Sequence, residues 1–412
     1  MIPRDVELEE AQELLLGRTA PMLGESLPTL QALGRISFQD HFAGEDLPPY
    51  PQSAMDGYAV AVGEKSDSNC YQIIERLRPQ DTPLSNLHPG QAAGVVTGGP
   101  LPDGTVAVMP QELAKVDGNN VIFSGRIEAG SNIKPQGEDY QAGDLLVKQR
   151  TALNPALISV LAAFGNNKVK VFCRPRVAII NFGPEIVPCH LAPLPGQKRD
   201  SNGPLLAGFV HCDGGTVVSM QAVGNKSSGQ LKDLLKELFY KADVILTTGG
   251  TAQGVEDQAL YVLKQVGAEL LFRGIKMKPG NHSTAAVRNE KIIISLSGNP
   301  AACIVGYHLL AVPILRQMQG LEPYTGRMDA LCTNSFMKKG NVRRFVYAQA
   351  SCCRDGMRVT IFPAQKSSML RPAANCNALI DLPSGQQPLR NRQTVKAILL
   401  GPYSSWDYSG IM

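Results

Sequence analysis

With 412 residues, 43% of them hydrophobic and 18% charged, the chain has an ordinary globular composition and room for roughly two to four domains. A formal net charge of +4 over that length is too weak by itself to point to nucleic acid. Nine cysteines without a CxxC pair support neither a disulfide framework nor a zinc site, and they read as buried free thiols.

The opening segment MIPRDVELEEAQELLL is acidic and amphipathic, with no basic start followed by an apolar run, so it does not read as a signal peptide. Val6, Leu8, Ala11, Leu14, Leu15 and Leu16 predict a helix whose carboxylates lie towards its N-terminal half, where they suit the dipole. From about 45 to 140, glycines and prolines punctuate short runs such as GYAVAV, AAGVVTGG, TVAVMPQE and NNVIFSG, which predict a small all-β domain. TALNPALISVLAAFGNNKVKVF then reads as helix followed by strand, with Asn154 at the N-cap and Pro155 at the first helical position.

From about 173 to 322 the texture changes. RPRVAIINFG, ADVILTTGG and KIIISLSGNP are continuous apolar strands, and QLKDLLKELFYKA, QALYVLKQVG and AACIVGYHLLAVPILRQMQG are helices between or after them. That alternation predicts a parallel sheet covered on both faces. The apolar run from Pro300 to Leu315 is short for a bilayer crossing and is interrupted by His308 and Pro313. A soluble cytoplasmic protein with no membrane and no nucleic-acid partner is expected. From 323 to 412, RRFVYAQA, MRVTIF, NALIDLP and TVKAILL predict a C-terminal β domain.

In open α/β sheets, ligands bind beyond the carboxyl ends of the strands. Three such ends carry unusual loops. ADVILTT runs into Gly249, Gly250, Thr251, Ala252, Gln253 and Gly254, where converging backbone amides suit an anion, although a tight strand-to-helix turn needs the same glycines. KIIISLSGNP places Gly298 and Asn299 before Pro300, a second phosphate-binding start or simply a well-capped helix. The loop after RVAIINFG contains Glu185, and RDSNG supplies Asp200, Ser201 and Asn202. Glu185, Asp200 and Asp257, if brought together, would suit a divalent cation such as Mg²⁺. Asp56 in AMDGYAV and Thr97 in TGGPLPDG sit in polar glycine turns. Ser367, Ser368 and Arg371 are candidate anion contacts in the last domain, and Arg343 with Arg344 is either a binding pair or a solvated strand face.

PQSAMDGYAV, TGGPLPDGTVAVMPQE, GEDYQAGDLLVKQRTALNPALISVLAAFG, RPRVAII, RDSN, ADVILTTGG, MKPG, SGNPAA and SSMLRPAANCNALI occur in the order found in the MoeA / gephyrin E-domain family, the molybdopterin molybdenumtransferases, which the chain resembles nearly end to end. The resemblance implies α/β plus β architecture in an elongated multidomain chain. A split N-terminal helical and linker domain (1–44 plus 141–172) would surround a β-rich domain (45–140), followed by a MogA-like three-layer molybdopterin-binding α/β domain (173–322) and a C-terminal β domain (323–412). It implies a homodimer whose cleft lies between the α/β domain of one subunit and the β domain of the other. It also implies Mg²⁺-dependent insertion of molybdate into adenylated molybdopterin, with release of AMP, and leaves open a molybdopterin adenylyltransferase partner that delivers the adenylated pterin. By matching motifs, Glu185, Asp200, Asp257 and Lys278 would be catalytic, the three carboxylates as metal ligands. Asp56, Thr97, Gly249, Gly250, Gly254, Lys276, Gly298, Asn299 and Ser367 would bind substrate.

The departures from the family pattern fall on the site. TGDEL becomes Phe182-Gly183-Pro184-Glu185-Ile186, the serine of GGxSxGxxD becomes Ala252, MKPGKP becomes Met277-Lys278-Pro279-Gly280-Asn281-His282, LPGNP gains Ser297, and the last serine of DSNS is Gly203. An active transferase, a divergent binder of molybdopterin with weak catalysis, and a scaffold using the fold without chemistry are the three readings that follow.

Overall fold

The computed structural model describes all residues except 1, 64–68, 84, 225, 251–257, 325, 339, 364, 367 and 402–412. They fall into two units. Pro28–Leu33 and Gln39–Val169 form one, and Met1–Leu27, Gly34–Phe38 and Lys170–Met412 the other.

In the second unit, β1 (Arg4–Val6) precedes α1 (Leu8–Leu16), β2 (Arg176–Asn181) precedes α2 (Asn202–Cys212), β3 (Thr216–Ala222) precedes α3 (Ser228–Lys241), and β4 (Val244–Thr248) precedes α4 (Gln258–Gln265). Then come β5 (Glu269–Ile275), β6 (Met277–Lys278), β7 (Thr284–Arg288) and β8 (Lys291–Leu296). A helical run follows, starting with α5 (Pro300–Gly306), passing through a π-helical turn (Tyr307–Ala311) and ending in α6 (Val312–Met318). The sheet order is β1-β5-β7-β8-β4-β2-β3.

Strands β3, β2, β4 and β8 run parallel. The two-residue period sorts their side chains cleanly. Val177 and Ile179 pack with Leu206, Val210 and Ile304 on one face, while Ala178 and Ile180 pack with Leu231, Leu235 and Leu238 on the other. Helix α3 fits that second face because Leu231, Leu234, Leu235 and Leu238 recur at helical spacing, and Ser227 with Gln230 closes a capping box at its start. Burying each such leucine stabilises the fold by about 1.5–3 kcal/mol.

Strand β7 is antiparallel to both β5 and β8, so the sheet is mixed where a parallel one was expected. Connection length is the reason. Only Asn289 and Glu290 separate β7 from β8, at φ 48° and 63°, and a two-residue hairpin leaves no room for a crossover.

Strands β9 (Arg327–Cys332), β10 (Arg343–Cys353), β11 (Gly356–Ile361), β12 (Ala378–Leu382) and β13 (Thr394–Leu399) form the C-terminal sheet, in the order β6-β10-β11-β9-β13-β12. An additional pairing of β12 with β10 closes it into a barrel, and β6 lies beside β10 as its parallel neighbour. The central domain and the barrel are therefore joined through β6, which carries Lys278.

The smaller unit holds a mixed six-stranded sheet, in the order Ala107–Pro110, Gly57–Val60, Gln91–Val95, Cys70–Arg76, Asn120–Phe123, Ala114–Asp117. Its helix Pro155–Ala163 is capped as its sequence predicts, the Asn154 side chain accepting from the Leu157 amide at 2.9 Å.

Two expectations need correction or qualification. The nine cysteines are all free, but only Cys303 and Cys332 are buried, while Cys70, Cys189 and Cys212 are exposed. Among the described residues, Pro300–Met318 is one helical run long and apolar enough to cross a membrane, and 83% of it is buried inside the protein, as a core helix would be.

Candidate active site

The C-terminal ends of β2, β4 and β8 are laced by polar side chains from the start of α2. Asn202 donates to the Thr248 hydroxyl at 2.8 Å and to the Gly298 carbonyl at 2.9 Å, and the Thr248 hydroxyl donates to the Ser297 carbonyl at 2.9 Å. Asp200 is buried and accepts from the Gly203 amide at 2.8 Å and from the Asn181 side chain. Among the described residues, the Oδ1 atoms of Asn181 and Asn202 are buried without a donor. Buried acceptors of that kind call for a cation, water or ligand hydrogen bond.

The glycines here serve close approach. A Cβ on Gly249 would lie 2.2 Å from the Phe182 carbonyl oxygen, and one on Gly298 would lie 3.1 Å from Gly249 Cα. Gly249 and Gly250 also have φ of 79° and 68°. Gly203 has a similar explanation, because a Cβ there would sit 2.4 Å from Asp200 Oδ2 and 2.6 Å from Asn181 Nδ2. With Asn181 and Asp200 joined in this way, no serine fits at that position without movement.

A second feature adjoins this cluster through Ser297 and Asn299. It is a cavity of about 310 Å³ bounded by Lys278–His282, by Ala301 and Ala302 of α5, and by Phe336, Lys338, Arg344–Tyr347, Gln365 and Lys366 of the barrel. Among the described residues, four cations line it, Lys278, Lys338, Arg344 and Lys366, and no Asp or Glu does. Among the described residues, none of the four is in a salt bridge. Period two explains why Arg344 faces the cavity while Arg343 does not. Arg343 turns the other way, donating to Asp381 at 2.7 Å and to Glu9 at 2.8 Å. The barrel wall is held by Gln365, whose amide accepts from the Tyr347 N–H at 2.9 Å and donates to its carbonyl at 2.7 Å. The Tyr347 hydroxyl donates to the Ala301 carbonyl, and burial pushes that phenol up.

In the smaller unit, the Thr97 amide and hydroxyl donate to one oxygen of Asp56 at 2.7 and 2.8 Å. The amide first, and then the hydroxyl, holds that carboxyl below the usual carboxylate range, so an exposed Asp56 presents a fixed negative charge.

The expected residues therefore separate. Asp200, Gly249 and Gly298 meet at the strand ends, with Gly250 beside them, and Lys278 and Asn299 line the cavity. Asn299 precedes α5 without a side-chain capping bond. Glu185 is exposed and lies at the opposite end from Asp200 of the two-residue ribbon pairing Ile186–Val187 with Lys198–Arg199. Lys276 is held by Glu7 at 2.9 Å, away from the residues that line the cavity. Asp257, Gly254, Ala252 and Ser367 lie outside the described residues. Among the described residues no group of three His, Cys, Asp or Glu side chains forms a cation cage. Lys338, Lys366, His282 and Tyr347 were not singled out from the sequence, since an isolated lysine, histidine or tyrosine carries no spacing signal.

Three family models match the chain in order: the MoeA N-terminal region (domain I and II) over 6–165, the probable molybdopterin binding domain over 178–317, and the MoeA C-terminal region (domain IV) over 329–400. Among curated relatives, the molybdopterin molybdenumtransferase of Bacillus subtilis is 29% identical over 92% of this chain and 90% of its own length. That of Staphylococcus epidermidis is 27% identical over 96% and 95%. A solved molybdopterin biosynthesis MoeA protein from Pyrococcus horikoshii superposes with a TM-score of 0.84 at 27% identity, covering 97% of this chain and all of that one.

Proposed function

The chain belongs to the MoeA family, and from that membership we propose that it is a molybdenumtransferase that inserts molybdate into adenylated molybdopterin with release of AMP. The observation that carries the site assignment is the cavity adjoining the strand-end cluster, lined among the described residues by four cations and no carboxylate. Molybdate and a phosphorylated pterin repel one another. At 4 Å, two unit charges interact by about 1 kcal/mol in water and by about 4 kcal/mol at the effective dielectric of a protein surface. Lys278, Lys338, Arg344 and Lys366 offset that repulsion with fixed positive charge, and Ser297 and Asn299 offer neutral donors where the two features meet.

Glycines 249, 250 and 298 let the phosphate end of the pterin approach backbone amides. Gly254 and Ser367 complete the substrate contacts in this reading, and Asp56 and Thr97 contribute theirs from the β-rich domain of a second copy in a homodimer. Lys276 drops out of it because Glu7 already neutralises its charge.

Magnesium would be held at Asp200, with Asp257 as a further carboxylate, and Glu185, at the far end of its ribbon, would reach it only through water or substrate. The Oδ1 atoms of Asn181 and Asn202, which have no donor among the described residues, are hard oxygen ligands of the kind this ion prefers, and water and substrate phosphate would complete its shell. When bound, it would supply positive charge to phosphate oxygens during cleavage of the adenylate. A cytoplasmic location and delivery of the adenylated pterin by an adenylyltransferase belong to the same proposal.

The test is AMP release by the purified protein from adenylated molybdopterin, Mg²⁺ and molybdate, with Asp257→Ala as control. Turnover lost in the variant supports the transferase. Retention of the pterin without turnover means a binding protein, and neither binding nor turnover means a scaffold.

A further inference from the structure

The loop Pro279–His282 forms one rim of the cation-lined cavity, and its backbone is pinned on both sides. The Ile275 amide donates to the Asn281 carbonyl at 2.9 Å, the Gly274 amide donates to the Ser283 carbonyl at 2.9 Å, and the Ser283 hydroxyl donates to the Gly280 carbonyl at 2.8 Å. With the backbone so fixed, the side chains of Asn281 and His282 are exposed and line the cavity. At these two places the family motif carries lysine and proline, so a permanent charge has been exchanged for an amide and a titratable ring.

The two side chains are coupled, His282 Nε2 lying 3.4 Å from Asn281 Nδ2. In the neutral ring, that amide donates to Nε2 and leaves Nδ1–H as a donor. Among the described residues, no protein atom hydrogen-bonds Nδ1. In the imidazolium, the amide turns over to accept from Nε2–H with its oxygen, and Nδ1–H is unchanged. Both protonation states are therefore accommodated without moving the loop.

We propose that His282 couples oxyanion binding in this cavity to proton uptake, supplying on demand the positive charge that Asn281 does not. The other groups around it set the sign. Lys278, Lys338, Arg344 and Lys366 line the same cavity with positive charge and draw an anion to it. A dianion placed among them and beside the ring favours imidazolium, so the ring takes one proton from solvent as the anion enters and returns it when the anion leaves. The Tyr347 phenol is pushed up by burial and its hydroxyl is tied to the Ala301 carbonyl, so it does not compete with the ring for the proton.

The inference rests on the transferase reading only in taking a dianionic oxyanion as the ligand. Molybdate alone is the probe, titrated calorimetrically into the full-length protein from about pH 6 to about pH 8, in buffers of differing ionisation heat. Wild type is expected to lose affinity with rising pH, by at most about tenfold per unit, with net proton uptake visible as a buffer-dependent heat. His282→Gln should bind more weakly at the acid end and lose both the slope and the buffer dependence. His282→Lys should bind tightly with a flat profile, and it serves as the second variant if the glutamine form does not fold. The same slope and proton uptake in either folded variant as in wild type would overturn the inference. So would pH-independent binding by wild type, which leaves the transferase reading standing. No molybdate binding by wild type at any pH overturns both.

Discussion

The strand-end cluster and the cation-lined cavity adjoin one another yet use polar residues in opposite ways. At the strand ends, Asp200, Asn202, Thr248 and the Asn181 amide nitrogen give their hydrogen bonds to the scaffold. In the cavity, four cations face an open space with no carboxylate partner among the described residues. The first region has spent its polarity on holding three loops together, while the second keeps its charge available. A buried donor or acceptor is costly to leave unmade, so deletions in the cluster should be read in stability as well as in turnover. Deletions in the cavity should be read in binding and turnover.

The largest expected effect breaks the cavity. Lys278→Ala and Arg344→Ala should each lower the rate of AMP release by about 100- to 1,000-fold with an unchanged melting temperature, because neither side chain is in a salt bridge among the described residues. A matching fall in melting temperature would show that these cations are structural after all.

The cluster is sharpened by Gly203→Ser, which restores the residue of the family motif. The added Cβ would meet Asp200 and Asn181, and urea titration should show a loss of about 1–3 kcal/mol. An unchanged midpoint would mean that Asp200 and Asn181 move apart freely, and would weaken the picture of a rigid lacing.

At the opposite end of β4, Asp243 is a control for scaffold charge. Burial pushes its carboxyl up, but hydrogen bonds from Arg176 and Lys291 more than offset that and hold it at about 2. Because the folded value lies below the unfolded one, its contribution is present above about pH 4 and lost as pH falls towards about 2. Asp243→Asn should therefore lower stability at neutral pH by about 1–2 kcal/mol after allowance for solvent screening. The difference from wild type should shrink in acid unfolding curves, and AMP release should be unaffected.

The smallest effect separates two lysines of one motif. Lys276→Ala removes only an exposed ion pair with Glu7 and should leave both melting temperature and turnover unchanged. A turnover loss comparable to that of Lys278→Ala would return Lys276 to the substrate site.

Much of the fold was legible because hydrophobic period is local. The apolar runs of β2, β4 and β8, the leucine spacing of α3 and the Asn154-Pro155 start are properties of a few consecutive residues, and each became the element it predicts. The antiparallel β7 was missed because Thr284–Arg288 is short and its neighbours look like the parallel strands around them. Its direction follows from the two residues that join it to β8. Of the residues that motif order singles out, Asp200, Gly249 and Gly298 meet at the strand ends and Lys278 lines the cavity.

The sequence by itself determined the domain texture, the strand-end position of the glycine loops and the family, because each is written in local period or in the order of motifs. Only the tertiary structure decided which charges are free. Arg343 and Arg344 are adjacent letters, but the alternation of β10 sends one to Asp381 and Glu9 and the other to the cavity. Lys276 and Lys278 differ because Glu7, remote in the chain, lies beside the first. Lys338 and Lys366 join Lys278 because the barrel brings them there. Charge neutralisation depends on distances of a few ångströms between residues far apart in sequence, and folding alone sets those distances.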